Sequence, residues 1–229
     1  MIWIGLDDTD MRGWPGTGHL ARDLAAWLGK RLPLFGVTRH QLLRDPRIPM
    51  TAKNSAVAIH LRSGDPALLP GLADDVARWV RRRAAPGSRP GICLAWEVPE
   101  EVMRFGRRAQ REVVTREEAL ALVATQGVIL RDLGENGNGV IGALAAVGLA
   151  ATGNDGRFVL YRRLREVRGW VSVAELLAEG IAQVQTVAGE AVTQGMVDTG
   201  NKLRPSLVGG RPVLWVKQVD DHWVAVRRD

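Results

Sequence analysis

Asp7, Asp8 and Asp10 crowd together directly behind a short apolar run, residues 2–6. Three carboxylates so close repel one another unless a cation or hydrogen-bond donors compensate. Carboxylates combined with phosphate oxygens are the usual way of holding Mg²⁺, which keeps octahedral oxygen coordination and several of its waters. An Asx-turn or helix-cap cluster at a strand end is the alternative reading of the same residues. Seven residues after Asp10 stands Thr17, between Gly16 and Gly18 and just ahead of a helical pattern. Its amide and hydroxyl then point where phosphate prefers to sit, at a helix N-terminus. No Gly-Lys-Ser/Thr ending follows, so the Walker mechanism is not supported.

Other residues with chemical capacity lie further along. The run 134–139, Gly-Glu-Asn-Gly-Asn-Gly, leads straight into the small-residue stretch 140–148. Glycines there let backbone approach backbone or ligand, which makes Glu135, Asn136, Asn138 and Gly139 candidate nucleotide contacts; a loop before a tightly packed core helix is the competing reading. Lys53 and Asn54 follow the Pro49 loop and are in range of a phosphate or a base edge, or simply solvate the loop. Gly16 and Gly18 complete the candidate cofactor set, and Trp14 beside them offers a surface on which a base can stack. His19, His40, His60 and His222 have no metal-ligand spacing. Asp8-Thr9-Asp10 behind a strand also admits a phosphatase of the haloacid-dehalogenase type, although Arg12 stands where that family places Thr or Val.

The elements that must position these groups can be read from periodicity. Residues 1–6 read as a buried strand, and Leu20, Leu24, Ala25, Leu28 and Leu32 recur at helical spacing. Residues 35–43 and 55–61 read as strands on either side of the Pro46–Pro49 loop, and Asp65-Pro66 opens a helix carrying Leu69, Leu72, Val76 and Val80. Residues 91–98 are strand-like. Thr115 and Glu118 fit a capping box for a helix running to about residue 126. A second unit then follows: 128–133 extended, a helix over 140–151, a strand over 157–163, a helix over 173–183, and strands near 191–198, 212–218 and 222–226. Alternation of β and α with several direct β-to-β steps predicts an α+β protein of two α/β sandwich domains, 1–127 and 128–229, built on ferredoxin-like units.

Composition narrows the class. The 229 residues carry 31 Lys plus Arg against 25 Asp plus Glu, a net charge of +6, and 46% are hydrophobic. That excludes collagen-like, coiled-coil and mostly disordered chains. Cys93 is the single cysteine, so neither an intrachain disulfide nor a thiolate zinc site is available. No basic signal-peptide n-region is visible, and the longest apolar stretch, 139–151, falls short of the roughly 20 residues that cross a bilayer. The expectation is a soluble cytoplasmic protein without a membrane partner. Arg104, Arg107, Arg108 and Arg111 recur three or four residues apart and share one helix face. Such a face suits phosphates, or is an ordinary solvated face balanced by Glu100, Glu101 and Glu112.

Taken together, the motif Ile4-Gly5-Leu6-Asp7-Asp8-Thr9-Asp10, the threonine at position 17, Ile48-Pro49 followed by Asn54-Ser55-Ala56, and the run from Gly137 to Ala146 resemble the archaeal tRNA-isoleucine 2-agmatinylcytidine synthetase family. The similarity continues through residues 158–162 and 212–214. The resemblance implies a kinase-like first domain over 1–127 followed by a ferredoxin-like domain over 128–229. It also implies an ATP- and Mg²⁺-dependent enzyme that activates the C2 oxygen of a tRNA cytidine, or a related nucleoside, as a phosphate ester. The amine of agmatine, or another amine, then displaces that ester. By the same resemblance Asp7, Asp8 and Asp10 are the metal and phosphate carboxylates, and Thr17 matches the family's autophosphorylated threonine. Three departures stand out. Gly16 and Gly18 replace the family's flanking Cys and Thr; Met50-Thr51-Ala52 replaces its Lys-Thr-Arg, with Lys53 displaced; and the OB-fold and zinc ribbon that grip tRNA have no counterpart here. A separate RNA-binding protein or a smaller acceptor is therefore expected. A non-catalytic nucleotide- or RNA-binding module, needing neither Asp7 nor Thr17, is the competing class.

Overall fold

The computed structural model describes residues 1–50, 53–135 and 137–227. Its first elements are β1 (Ile2–Asp7), α1 (Thr17–Leu28), β2 (Leu34–Gln41), β3 (Ser55–Leu61), α2 (Leu69–Arg81) and β4 (Gly91–Ala95). Strand β1 lies between β3 and β4 and is antiparallel to both, and β2 closes the other side of β3. Alternation decides what each face buries. Ile2, Ile4 and Leu6 pack with Leu20, Leu24 and Leu28 of α1 and with Leu72 and Val76 of α2. The opposite face, with Trp3, Ala58 and Cys93, receives the helices that follow.

Those are α3 (Glu100–Ala109), α4 (Arg116–Val123) and α5 (Gly139–Ala151), with β5 (Ile129–Asp132) antiparallel to β4. The expected capping box of α4 is present: Thr115 Oγ1 accepts from the Glu118 amide at 3.2 Å, and Glu118 Oε2 accepts from the Thr115 amide at 2.7 Å. Helix α5 is buried almost all round and comes close enough for backbone contact. A Cβ on Gly5 would overlap the Ala143 carbonyl oxygen, and one on Gly148 would overlap that of Val102 in α3. Ten or more apolar residues with no polar face mark a helix enclosed on all sides.

The α+β class holds, with a different allocation of parts. The βαββαβ order of a ferredoxin-like unit, expected over 128–229, is that of β1 to β4, in spatial order β4-β1-β3-β2. The division expected between residues 127 and 128 does not separate two sheets, because β5 and α5 complete the sheet and the second helical layer of the residues before them. Periodicity reports the kind of element, not the partner it selects, and so could not place this junction.

Beyond α5, β6 (Arg157–Leu160) pairs antiparallel with β2 and carries the sheet onward. Then come β7 (Trp170–Ser172), α6 (Val173–Ala178), β8 (Gln183–Thr186), β9 (Met196–Asp198), β10 (Ser206–Val208), β11 (Arg211–Val219) and β12 (His222–Val226). The path runs β5-β4-β1-β3-β2-β6-β10-β11-β12-β9-β7, with β8 on β11. Among the described residues after β6 the six-residue α6 is the single helix, too little for a ferredoxin-like layer. These strands bury their own core, including Phe158, Leu176, Val184, Val197 and Leu214.

A buried polar chain crosses the junction. Thr38 Oγ1 lies 2.7 Å from His60 Nε2 and 2.8 Å from His40 Nε2, His40 Nδ1 lies 2.7 Å from Asp155 Oδ1, and Gln110 Nε2 donates to Asp155 Oδ2 at 2.9 Å. Burial, reinforced by the charge of His40, holds the His60 pKa down to about 3.

Candidate functional site

At the end of β1 the chain turns through Asp8, whose φ of 53° lies in the left-handed region. An aspartate tolerates this conformation better than most residues. The turn sends Thr9 inward, where it is 2% exposed, and the Ala85 amide fixes its carbonyl at 3.0 Å. Thr9 Oγ1 donates to Thr17 Oγ1 at 3.1 Å, and Thr17 Oγ1 donates to Asp10 Oδ1 across a longer 3.4 Å. Thr17 is the first residue of α1 and 8% exposed. The cap residue Gly16 contributes no side-chain acceptor, so the first amides of the helix lack the partner that a Ser or Asp cap supplies. Gly18 faces open space.

On the other face of the sheet, Asp7 rests against the first turn of α5. A Cβ on Gly142 would overlap the Asp7 carboxylate and stand 2.5 Å from its Cγ, and one on Gly139 would stand 3.1 Å from the Asp7 carbonyl oxygen. Enclosure raises the Asp7 pKa to about 8; a hydrogen bond from the Asp8 amide opposes the rise, and the charges of Asp8 and Asp10 add to it. Asp8 is also raised, by burial and then by Asp10, with Arg89 pulling the other way. Burial thus disfavours the charged form of Asp7.

Arg89 owes its position to the glycine loop. Cβ atoms on Gly134 and Gly137 would stand 2.6 Å from Arg89 Cα and 2.5 Å from Arg89 Cβ respectively. The amides of Gly134 and Gly137 both donate to Asp132 at 3.0 Å, and Asp132 also pairs with Arg116 at 3.2 Å. These glycines serve backbone packing, the competing reading of the loop. Glu135 and Asn138 are exposed. Asn138 lines a cleft of about 470 Å³ together with Thr115, Arg116 and Ile141. Asn136, Thr51 and Ala52 lie outside the described residues.

The structure thus brings Asp7, Asp8, Asp10, Gly16, Thr17, Gly18 and Gly139 to one end of the sheet. Lys53 and Asn54 approach the same end, since Leu6 pairs with Val57 in β3. Asn54 is occupied structurally: its Nδ2 donates to Leu43 O at 2.7 Å, and its carbonyl accepts from the Leu42 amide at 2.9 Å. Lys53 is exposed. Thr9, Arg89 and Gly142 were not singled out from the sequence. The first sits inside the acidic loop, and the last lies one helical turn beyond Gly139, which was the available signal.

Among the described residues no three or more His, Cys, Asp or Glu side chains are arranged to enclose a metal. Mg²⁺ asks for less, one or two carboxylates with phosphates and water completing the shell. Burial is the larger cause of the rise at Asp7 and Asp8, and the like-charge repulsion that adds to it fits such a cation. The arginine face expected on α3 is partly charge-balanced: Arg104 pairs with Glu101 at 2.8 Å and Arg108 with Glu112 and Glu118 at 3.2 and 2.9 Å, whereas Arg107 has no ion pair among the described residues and Arg111 lies beyond the end of the helix. No helix among the described residues is long and apolar enough to cross a membrane.

No family profile matches the chain. It is 34% identical over 172 residues to the tRNA(Ile2) 2-agmatinylcytidine synthetase TiaS of Pyrococcus horikoshii, which covers 72% of this chain and 39% of that protein. The corresponding protein of Methanocorpusculum labreanum is 28% identical over 168 residues, with the same coverage. Among solved structures, the TiaS–tRNA(Ile2)–ATP complex superposes with a TM-score of 0.54 at 26% identity, over 64% of this chain and 36% of that one. The TiaS–tRNA(Ile2)–AMPCPP–agmatine complex gives 0.54 at 27% identity, over the same shares. The chain spans about two fifths of the length of the curated relatives it matches. Over that span it is a partial, TiaS-like relative of the tRNA(Ile2) 2-agmatinylcytidine synthetases.

Proposed function

We propose that this chain is an ATP- and Mg²⁺-dependent phosphoryl-transfer unit that activates a cytidine in RNA, or a related nucleoside, for attack by an amine such as agmatine. The observation that carries this reading is the hydrogen-bond chain Thr9–Thr17–Asp10 at the open N-terminus of α1, with Asp7 and Asp8 beside it. Phosphoryl transfer asks a protein mainly for positioning and charge neutralisation. Bound Mg²⁺–ATP supplies the phosphoryl group and part of that neutralisation, with Asp8 and Asp10 as the carboxylates to hold the metal and Asp7 as their enclosed neighbour. Thr9 orients the Thr17 hydroxyl by donating to it, and Asp10 stands where it would receive the proton of that hydroxyl, were Thr17 Oγ1 to bond to the γ-phosphorus of ATP while the bond from that phosphorus to the bridging oxygen breaks and ADP leaves. The first amides of α1 would offer fixed donors to phosphate oxygens, which cost no reorganisation during reaction. Its setting on this reading is the cytoplasm, and a separate RNA-binding protein or segment supplies any further grip on tRNA.

Incubation with γ-labelled ATP followed by peptide mass spectrometry tests the reading. Label is expected on the peptide containing Thr17 and is lost in Thr17→Val. Asp8→Asn should weaken Mg²⁺-dependent ATP binding at least about tenfold, near 1.4 kcal/mol. Unchanged ATP affinity in that variant refutes the metal assignment, and label elsewhere during turnover refutes the role of Thr17.

A further inference from the structure

Three arginines gather beside the N-terminus of α1 with no ion pair to a carboxylate among the described residues. Arg165 Nη1 and Arg204 Nη1 donate to the same carbonyl, that of Val159 in β6, at 3.1 and 3.3 Å. Arg22 Nη1 donates to Gly18 O at 2.8 Å, which ties it to the turn that follows Thr17. No ion pair joins Arg22, Arg165 or Arg204 to an acidic side chain among the described residues, whereas Arg31, Arg47, Arg78, Arg104, Arg108 and Arg163 each have one.

The surroundings are basic as well. Arg157 of β6 lies in register with Arg39 of β2, and Ser206 of β10 lies opposite Arg157, two residues beyond Arg204. The Arg204 pKa is held down to about 10, first by partial burial and then by the charges of Arg165, Arg157, Arg22 and Arg227. Arg22 is lowered by burial and by Arg165, with Asp23 the one opposing charge. His19 is lowered too, by burial and then by Arg22 and Arg165, with Asp23 opposing the shift and Lys202 adding to it. A set of cations that depress one another costs folding energy, and a bound anion recovers it.

Shape narrows the anion. Arg165 Nη1 and Arg204 Nη1 converge on one carbonyl oxygen and so stand close enough to share one phosphodiester group, and Arg22 on α1 offers a further cation. Trp14 stands 52% exposed, two residues before Gly16. A basic track with an exposed aromatic is the combination that grips single-stranded nucleic acid, the cations following the backbone and the ring stacking a base.

We infer that Arg22, Arg165 and Arg204 form a docking strip for the phosphodiester backbone of single-stranded RNA, directed toward Thr17. The inference rests on the proposed RNA acceptor and assigns the surface that meets it. The strip lies apart from the α3 arginine face, where Arg104 and Arg108 are paired with glutamates.

Fluorescence anisotropy of a labelled, unstructured oligoribonucleotide on the full chain tests the strip, with ATP affinity measured alongside by calorimetry. Arg165→Glu/Arg204→Glu should weaken RNA binding at least tenfold. Arg165→Ala/Arg204→Ala, which removes two phosphate contacts without adding charge, should flatten the salt dependence, lowering the slope of log K against log salt by about 1.4 for a single strand. ATP affinity should stay within twofold. Arg165→Lys/Arg204→Lys should keep most of the RNA binding, which separates charge from fold, and Arg104→Glu/Arg108→Glu should reduce it less than the strip variants do. Unchanged RNA affinity in the Glu pair overturns the inference, as does a parallel loss of ATP affinity, which would make the strip a triphosphate site. Loss of ATP binding in Asp8→Asn with RNA binding retained is expected if the two sites are separate. Absence of label on Thr17 with arginine-dependent RNA binding intact would refute the proposed chemistry while leaving the strip standing.

Discussion

Alanine at Gly142 would place a methyl carbon 2.5 Å from Asp7 Cγ and 2.8 Å from Asp7 Cβ, far inside the roughly 3.5–4.0 Å of comfortable carbon contact. Helix propensity favours the substitution by about 1 kcal/mol, whereas overpacking of this kind costs about 1–3 kcal/mol. The expected net effect is a loss of up to about 2 kcal/mol. In an Asp7→Gly background the obstructing carboxylate and its Cβ are both gone, so the same Gly142→Ala change should stabilise by up to about 1 kcal/mol: the sign reverses. Gly5→Ala provides the contrast. Its methyl would meet the Ala143 carbonyl carbon at 2.9 Å and Val147 Cγ2 at 3.0 Å, which are atoms of α5 that no change at residue 7 removes. Urea unfolding of the four-member cycle yields the coupling between residues 7 and 142. Coupling below about 0.5 kcal/mol, or equal destabilisation by Gly142→Ala in both backgrounds, would refute the contact between the Asp7 carboxylate and α5.

Two groups bend the pH profile in opposite directions. With His60 at about 3 in the folded chain and 6.5 as its ordinary value, the unfolded chain binds the extra proton between them. Its contribution is thus complete above about pH 6.5 and lost as pH falls toward 3, and His60→Asn should flatten that acid limb in urea midpoints. Asp7, at about 8 against 3.8, keeps a proton that the unfolded chain has released. Its contribution is complete below pH 3.8 and lost as pH rises through 8, so Asp7→Asn should raise stability most at alkaline pH. Asn54→Ala removes the hydrogen bond to Leu43 O and should cost about 1–2 kcal/mol in unfolding experiments while moving ATP affinity less than about twofold, near 0.4 kcal/mol; a larger loss of ATP affinity would return Asn54 to the binding site.

Much of the first unit was legible because strands and helices there obey simple periods. Strand β3 occupies the stretch 55–61 read from the sequence, α5 begins one residue early at Gly139, and Thr115 with Glu118 closes its box. What failed was partner choice. A helix apolar on every side gives no direction, so nothing in α5 announced that it belongs with β1 rather than with the strands after it. The short strands β7, β8 and β10, three or four residues each, leave too few alternations to register. At the candidate site the acidic loop and Thr17 could be seen because their residue types are rare behind a buried strand. Arg22, Arg165 and Arg204 could not, since they are separated by 143 and 39 positions in sequence, and the last two converge only on the carbonyl of Val159.

The pairing of β6 with β2 also governs how the chain can be cut. A fragment stopped after α5 would contain every residue of the acidic loop, yet it would leave the outer edge of β2, residues Leu34–Gln41, without a neighbour. An unpaired edge strand of eight residues is a template for another copy of itself. Such a truncation should therefore be recovered as dimers or larger aggregates joined through β2, and its loss of activity would report the exposed edge rather than any catalytic duty of the deleted strands.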